Sequence, residues 1–413
     1  MTLQHDTILA VNNDTILRVG YLSAGSFCLY EGFQTWVRGR IESNPEVVVY
    51  CIAIYAISFS LLALAFAGPT WAERLKDSIP LSLVIVALLS AYVLFQIQYK
   101  GAYRTDALAF THYAATLFAE KGLNPYPLDL QGALSKFKVD PLYITLTPLG
   151  DISTNLAYPS LHFIVFVPFV ALGLPDMRWV LFLFELATVA TLYIKSPEEL
   201  KPILLLPIFV SADLAIDFNA GSVTDFLWVL PMVWTALNMN DPFRSGVFYG
   251  IACAMKQEPW IVAPFCLVWM LNLKEGSLIV KLSNALKFAG AAAVSFVLPN
   301  LLFIIKDPSA WFTGVLTPAS GELILLSQGL SMLTQAGIAS LPPMFYLATT
   351  ITVFVMLVAN YFVYFDMLKH AIWIFPAVTM WFSHRALQNH FMYWIPVMIS
   401  GLLLLSFGRR GLE

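Results

Sequence analysis

Long apolar runs recur along almost the whole chain of 413 residues, and they limit the folds open to it. A helix needs about 20 largely apolar residues to cross the hydrocarbon core of a bilayer. The runs predict about eleven spans, give or take two. They lie at residues 47–67, 80–99, 158–174, 178–194, 202–218, 221–239, 246–273, 286–305, 344–365, 370–382 and 392–407. The sequence therefore predicts an all-α, polytopic membrane protein with one integral membrane domain over residues 1–413.

The composition agrees with this class. Apolar residues make up 59% of the chain and charged residues 12%, against about 45–50% and about 25% in soluble domains. The net charge is -3 and the basic residues are scattered, so nucleic acid is not an expected partner. The four cysteines have no metal-ligand spacing. GxSxG, Walker A, HExxH and GxGxxG motifs are absent, which excludes the enzyme classes that depend on them.

Two long connections, at residues 100–157 and 307–343, interrupt the apolar runs. Long connections in compact proteins are often functional, so both are expected on one side of the membrane. Arg74, Lys76 and the C-terminal Arg409 and Arg410 favour the cytoplasm for their own segments. The two long connections then face outward, with interfacial helices in the first. A short amphipathic stretch at residues 27–37 suits another interfacial helix.

Asp106 is the first candidate for chemistry. It follows the second predicted span, and residues 106–122 have the apolar spacing of a helix lying along the interface. Two interpretations remain open. The carboxylate is either an N-cap favoured by the helix dipole, or a general base that accepts the proton of an attacking hydroxyl.

Lys256 lies inside the apolar run 246–273. A charge at bilayer depth costs about 2.5 kcal/mol or more on insertion scales, so Lys256 is expected to have a partner or a ligand. Pro259 breaks the helix and frees backbone carbonyls nearby. The alternative is a local ion pair between Lys256 and Glu258, or a lysine that reaches the interface between two shorter spans.

Asp213, Asp217 and Asp225 flank a short polar break between two apolar runs. Asp213 and Asp217 are four residues apart and share a helical face, where like charges repel. An acceptor-sugar site explains this arrangement, and a divalent cation held by oxygen ligands is a less favoured explanation. A solvated loop is the alternative. His162 is either a proton donor or hydroxyl binder, or a histidine satisfied at the interface.

Several segments together resemble a known family. They are Asp106 just after a span, Gly122-x-Asn124-Pro125-Tyr126, Tyr158-Pro159-Ser160-Leu161-His162, the stretch from Gly250 to Lys256, and the basic segment from Ser383 to Trp394. In this order they resemble the C-type superfold of integral membrane glycosyltransferases, which take a sugar from a polyprenyl-phosphate carrier.

The resemblance implies that Asp106 is the general base and that Lys256 and Arg385 lie near the phosphate of the carrier. Many members have paired acids where this chain has Asp106 followed by Ala107, which leaves the metal requirement open. Residues expected to contact substrate are Tyr103, Arg104, Tyr126, His162, Asp213, Asp217, Asp225, Glu258, Gln388 and Asn389.

The expected function is transfer of a sugar from a lipid-phosphate carrier to an acceptor hydroxyl on the outer face of the plasma membrane. A single displacement would invert the anomeric centre. The acceptor is a glycan, a lipid or a protein. The rival expectation is a secondary transporter or a lipid flippase without transfer chemistry, which also places polar residues at broken helices.

Overall fold

The computed structural model describes residues 13–38, 45–66, 102–204, 222–273, 276–320 and 322–410. The described residues form an all-helical fold, and Leu146 and Ile152 add an isolated antiparallel bridge. The α-helices of seven residues or more in this part are α1 (Asn13–Arg38), α2 (Pro45–Phe66), α3 (Asp106–Lys121), α4 (Arg178–Lys195), α5 (Phe226–Leu237), α6 (Pro242–Met255), α7 (Ala263–Leu271), α8 (Leu278–Lys306), α9 (Pro308–Leu316), α10 (Pro343–Val363), α11 (Phe375–Trp381) and α12 (Ile395–Arg410).

The chain divides into two compact units, residues 1–100 with 189–220, and residues 101–188 with 221–413. In the first unit α1 and α2 pack closely along their lengths. Ser58 donates a hydrogen bond to the Gly25 carbonyl at 2.7 Å, and a Cβ at Gly25 would crowd Leu62. The expectation of a short helix confined to residues 27–37 is wrong, whereas its interfacial location stays a prediction. That stretch belongs to the 26-residue helix α1, whose small residues allow close approach to its neighbour.

The second unit contains every described residue of the candidate site. Its helices α6 and α8 approach closely because Gly246 and Gly250 face the backbone of α8. A Cβ at Gly246 would meet the Phe288 carbonyl, and one at Gly250 would meet the Ala292 carbonyl. This small-xxx-small spacing brings two helix backbones into direct contact. The contact with α8 fixes the orientation of α6 and therefore the position of its C-terminal end.

The first long connection is built around α3. This helix ends at Gly122, whose left-handed backbone (φ 63°) terminates it in the usual way. Most of its side chains, from Leu108 to Leu117, are buried by protein. The helix expected along residues 106–122 is confirmed, and its location at the membrane interface stays a prediction.

The second long connection, residues 307–343, contains α9 and two shorter helical turns, Thr317–Ala319 and Met332–Gln335. The Ile324 amide donates to the Leu146 carbonyl at 2.9 Å, which joins this connection to the first one. The two long connections therefore contact each other.

Within the described residues, two helices are long and apolar enough to cross a membrane: α8 and α10. Their most apolar windows are only 28% and 11% buried by protein. Three other predicted spans are interrupted. The run 158–174 forms Leu161–Ile164 and Val167–Ala171, the run 246–273 breaks at Lys256, and the run 370–382 divides into Lys369–Trp373 and α11. The predicted spans at 80–99 and most of 202–218 lie outside the described residues.

Candidate functional site

The site is built around the break between α6 and the turn Glu258–Val262. Helix α6 ends at Met255, and Lys256 has an extended backbone (φ -154°, ψ 162°). Pro259 supplies no N–H to continue the helix, so the chain begins a new turn there. The break predicted from Pro259 is confirmed.

Side chains satisfy the carbonyls that this break leaves free. His162 Nδ1 lies 2.7 Å from the Met255 carbonyl, and Trp260 Nε1 donates to the Cys253 carbonyl at 2.9 Å. A carbonyl only accepts, so His162 carries its proton on Nδ1. Backbone groups at a buried helix end need such partners. His162 therefore closes the end of α6, a role that the sequence did not predict.

Lys256 lies between two carboxylates. Its ammonium nitrogen is 2.8 Å from Asp225 Oδ1 and 3.0 Å from Glu258 Oε1. The Lys256 residue is 6% exposed, and both acids are buried. The local pair with Glu258 is present, and Asp225, directly before α5, is a second partner. Two of the three N–H donors of the ammonium are thus used by described residues.

Each of these carboxylates also binds one of two consecutive residues from a distant segment. Asn389 Nδ2 donates to Asp225 Oδ2 at 3.1 Å, and His390 Nε2 lies 3.5 Å from Glu258 Oε1. Trp228 Nε1 donates to Asp225 Oδ1 at 2.6 Å. Lys256, Asp225, Glu258, Asn389 and His390 are called the ion cluster below.

The backbone around His390 shows how its ring is protonated. The Leu387 amide donates to His390 Nδ1 at 3.3 Å, so Nδ1 carries no proton. The proton of the neutral imidazole is then on Nε2, which faces Glu258 Oε1. His390 thus meets the carboxylate as a neutral donor rather than as a cation.

Asp106 is the first residue of α3, and it lies in a separate part of the site. Thr105 is the N-cap residue. The Asp106 carboxylate instead accepts from the Thr145 amide at 2.6 Å. The N-cap interpretation is therefore wrong, because the side chain of Asp106 is directed to the neighbouring loop. Asp106 is 7% exposed.

The surroundings of Asp106 affect its titration. Burial raises the pKa of the Asp106 carboxyl above its ordinary value of 3.8. The Thr145 amide and hydroxyl and the Arg385 guanidinium oppose this shift, but burial has the larger effect. A carboxyl of raised pKa is a better proton acceptor once it is ionised.

Arg385 lies in the loop between α11 and the turn Asn389–Met392. Its Nη1 donates to the Ile324 carbonyl at 3.1 Å. Its charge also acts on Asp106. The Ile324 amide in turn donates to the Leu146 carbonyl, next to Thr145, whose amide donates to Asp106. The predicted acid and the predicted late cation therefore lie in neighbouring segments, although 279 positions separate them in the chain numbering.

Tyr158 connects the two parts of the site. Its ring centroid is 5.7 Å from the Lys256 ammonium, and its ring stacks on His162 at 4.1 Å. The phenol is within electrostatic range of Asp106, Lys256 and Arg385. Sequence reasoning quoted Tyr158 as part of a motif but did not select it as a site residue. Its position directly before Pro159 and His162 was the available signal.

Tyr103 and Arg104 were predicted to bind substrate, and their described contacts are with other protein groups instead. Tyr103 is buried, its hydroxyl accepts from the Met177 amide at 2.9 Å, and it lies 2.9 Å from His112 Nδ1. Arg104 donates to the Tyr143 hydroxyl, and its guanidinium lies 4.1 Å from the centroid of that ring. Tyr103 therefore belongs to the packing of the connection, and the described contacts of Arg104 orient Tyr143.

Tyr126 and Gln388 also support the loops around the site. The Tyr126 hydroxyl donates to the Tyr158 carbonyl at 2.7 Å and lies 3.1 Å from Ser160 Oγ. It therefore holds the segment that carries Tyr158. Gln388 accepts from Gln328 Nε2 at 3.4 Å. Asp213 and Asp217 lie outside the described residues, and so does their predicted acceptor or cation site.

In the described part of the chain, no group of three or more His, Cys, Asp or Glu side chains is arranged to hold a metal ion. Asp225 and Glu258 both contact the Lys256 ammonium, which occupies the place that a cation would take. No known protein family, curated protein or solved structure matches this chain. The function is therefore argued from the site itself.

Proposed function

We propose that this chain is an integral membrane glycosyltransferase. It moves a sugar from a polyprenyl-phosphate carrier to an acceptor hydroxyl on the outer face of the plasma membrane. The observation that carries the proposal is that two adjacent residues, Thr145 and Leu146, join Asp106 to the segment that holds Arg385. The Thr145 amide donates to the buried Asp106 carboxylate, and the Leu146 carbonyl accepts from Ile324, whose own carbonyl accepts from Arg385. Displacement of a sugar phosphate needs both groups, a base for the incoming hydroxyl and a cation for the departing phosphate.

The apolar surfaces of α8 and α10 support a membrane location. Their windows of highest hydropathy leave most of the side chains uncovered by protein. Exposed apolar surface on this scale is unusual for a water-soluble protein. We assign both helices to the bilayer and retain the multi-pass arrangement of about eleven spans as part of the proposal.

The chemical step is a single displacement. Asp106 accepts the proton of the acceptor hydroxyl, and the hydroxyl oxygen forms a bond to the anomeric carbon of the donor sugar. The bond between that carbon and the phosphate oxygen breaks, and its electron pair leaves with the lipid phosphate. Arg385 stabilises the charge that develops there. Attack from the face opposite the leaving group inverts the anomeric centre.

Lys256 is not assigned the phosphate-binding role that the sequence predicted for it. Its charge is already balanced by Asp225 and Glu258. An arriving phosphate would have to compete with two buried carboxylates. We therefore assign the donor phosphate to Arg385, whose described acceptor is a single carbonyl, that of Ile324.

Sugar transfer by purified protein, with polyprenyl-phosphate mannose and glucose as donors and the membrane glycans and lipids as acceptors, tests the proposal. We expect Asp106→Asn to lower turnover by about 10²- to 10⁴-fold, the contribution of a general base. Asp129→Asn is the matched control, because Asp129 lies in the same connection and also accepts a backbone N–H, at 2.8 Å. Equal loss in both variants, or none in Asp106→Asn, would remove Asp106 from the mechanism.

The rival function is a secondary transporter or lipid flippase. The observation in its favour is the helix break at Lys256, with buried charges on both sides of it. Transporters place substrate sites at such discontinuous helices. Vesicles containing the purified protein separate the two functions. Movement of the lipid-linked sugar across the bilayer with no transferred product favours the transporter, and product without net movement favours the transferase.

A further inference from the structure

We propose that Lys256, Asp225 and Glu258 are positioning residues that hold residues 389–390 and thereby fix the loop that carries Arg385. The functional part of this inference rests on the proposed glycosyltransferase activity. Its structural part, that the ion cluster anchors the Arg385 loop, stands independently of any activity. The two parts are tested separately below.

The contacts of the ion cluster extend to the Arg385 loop. Lys256 joins the two carboxylates, and each carboxylate uses a remaining contact on one of two consecutive residues of the loop. Asp225 binds Asn389, and Glu258 faces His390. A cluster that served only to neutralise Lys256 would not need these two contacts. Their arrangement ties the helix break directly to the chain that follows Arg385.

The second long connection also holds the Arg385 loop. The Gln328 amide donates to the Ala386 carbonyl at 2.7 Å, and the Leu330 amide donates to the Trp381 carbonyl at 2.8 Å. Ser331 Oγ donates to the Ser383 carbonyl at 3.1 Å. The second long connection thus holds the chain immediately on both sides of Arg385, and the ion cluster holds residues 389–390 beyond it. A loop that is held at several points keeps the Arg385 guanidinium in one orientation when it binds a ligand.

Lys256 is also poorly placed to bind a phosphate. Its ammonium already contacts two buried carboxyl groups, those of Asp225 and Glu258. A phosphate would have to displace one of them in a buried region, where breaking such a pair is costly. The ion cluster is therefore better suited to hold a loop than to hold a phosphate.

Hydrogen exchange of the purified protein tests the structural part. Asn389→Ala removes one anchor and leaves Lys256 paired with both acids, so the fold should survive. We expect faster amide exchange in residues 383–390 and little change in α8. Asn360→Ala is the matched control, because the Asn360 amide also donates to a backbone carbonyl, that of Met356, but on α10. Unchanged exchange in the loop of Asn389→Ala would overturn the anchoring role.

A double-mutant cycle tests the functional part. If Asn389 acts through Arg385, Asn389→Ala should lower kcat about tenfold in the wild-type background and less than about twofold in an Arg385→Ala background. Equal losses in the two backgrounds would refute the coupling. His390→Phe repeats the test from the Glu258 side. Absence of transfer in the wild-type protein would refute the proposed function, while the exchange result would still decide whether the cluster anchors the loop.

Discussion

The ammonium of Lys256 lies 2.8 Å from Oδ1 of Asp225, a residue 31 positions earlier in the chain. The contact joins the end of α6 to the start of α5, and Glu258 completes it on the other side at 3.0 Å. Buried pairs of this kind contribute little net stability relative to an apolar core, but they are costly to break. The mutational consequences follow from that asymmetry.

Replacing Lys256 should destabilise the protein strongly. Lys256→Met leaves Asp225 and Glu258 as buried, uncompensated charges, at a cost of about 3–5 kcal/mol. Thermal unfolding in detergent measures it. The double variant Lys256→Met/Asp225→Asn should recover part of the loss, because one buried charge is removed. Lys287→Gln, at an exposed position on α8, is the control and should be near neutral. An equal loss in the control and the single variant would contradict the prediction.

Ionisation of the buried Asp106 carboxyl should lower the stability of the folded protein as the pH rises. The pKa of its carboxyl is raised in the folded protein, so the folded state binds this proton more tightly than the unfolded state. That contribution to stability is complete below the ordinary value of 3.8 and is lost as the pH rises through the raised pKa. Asp106→Asn should therefore unfold at a higher temperature than wild type at neutral pH.

The difference in unfolding temperature between Asp106→Asn and wild type should shrink as the pH is lowered toward 3.8, the ordinary value. Transfer activity should rise with pH, whereas stability falls, since a general base must be ionised to act. Wild-type turnover should fall as the pH drops through the raised pKa. A stabilisation that is independent of pH would show that charge burial at Asp106 is not its cause.

Gly250 should tolerate no side chain. A Cβ there would meet the Ala292 carbonyl of α8, whereas one at Gly290, on α8 itself, meets nothing within 4 Å. Gly250→Ala should cost about 1–3 kcal/mol through overpacking. Gly290→Ala should be neutral or stabilising by up to about 1 kcal/mol, since alanine favours helix. Unfolding temperatures compare the two, and a similar loss in both would point to a general intolerance of alanine.

The membrane assignment makes Leu298 sensitive to charge. This side chain is 72% exposed on α8, and Leu149 is 90% exposed in the first long connection. Leu298→Arg places a cation against lipid at a cost of about 3 kcal/mol on insertion scales. We expect less protein in the alkali-resistant membrane fraction for Leu298→Arg and no change for Leu149→Arg. Equal membrane retention of Leu298→Arg and wild type would place α8 outside the bilayer.

The sequence predicted the features that depend on local chemistry. Apolar composition predicted helices throughout the described residues, and the position of Pro259 predicted the break beyond Lys256. The isolated lysine in an apolar run predicted that Lys256 would have a partner. These features follow from helix periodicity, the missing N–H of proline and the cost of a buried charge, which act over a few residues.

Sequence reasoning failed where contacts between distant segments decide the result. It predicted a short helix at residues 27–37, whereas α1 covers residues 13–38 and packs against α2. It proposed that Asp106 was either a cap or a base, and only the approach of Thr145 decided against the cap. It predicted that Tyr103 contacts substrate, whereas the Tyr103 hydroxyl accepts a hydrogen bond from the Met177 amide.

By itself, the sequence determined that the chain is helical and strongly apolar, and that Asp106, Lys256 and Arg385 are unusual charges for their surroundings. Only the tertiary structure decided which of them are neighbours: Lys256 contacts Asp225 and Glu258, and the segments of Asp106 and Arg385 meet through Leu146 and Ile324. The reason is physical, because hydropathy and helix breaks are properties of neighbouring residues, whereas an ion pair across 31 positions depends on how helices pack.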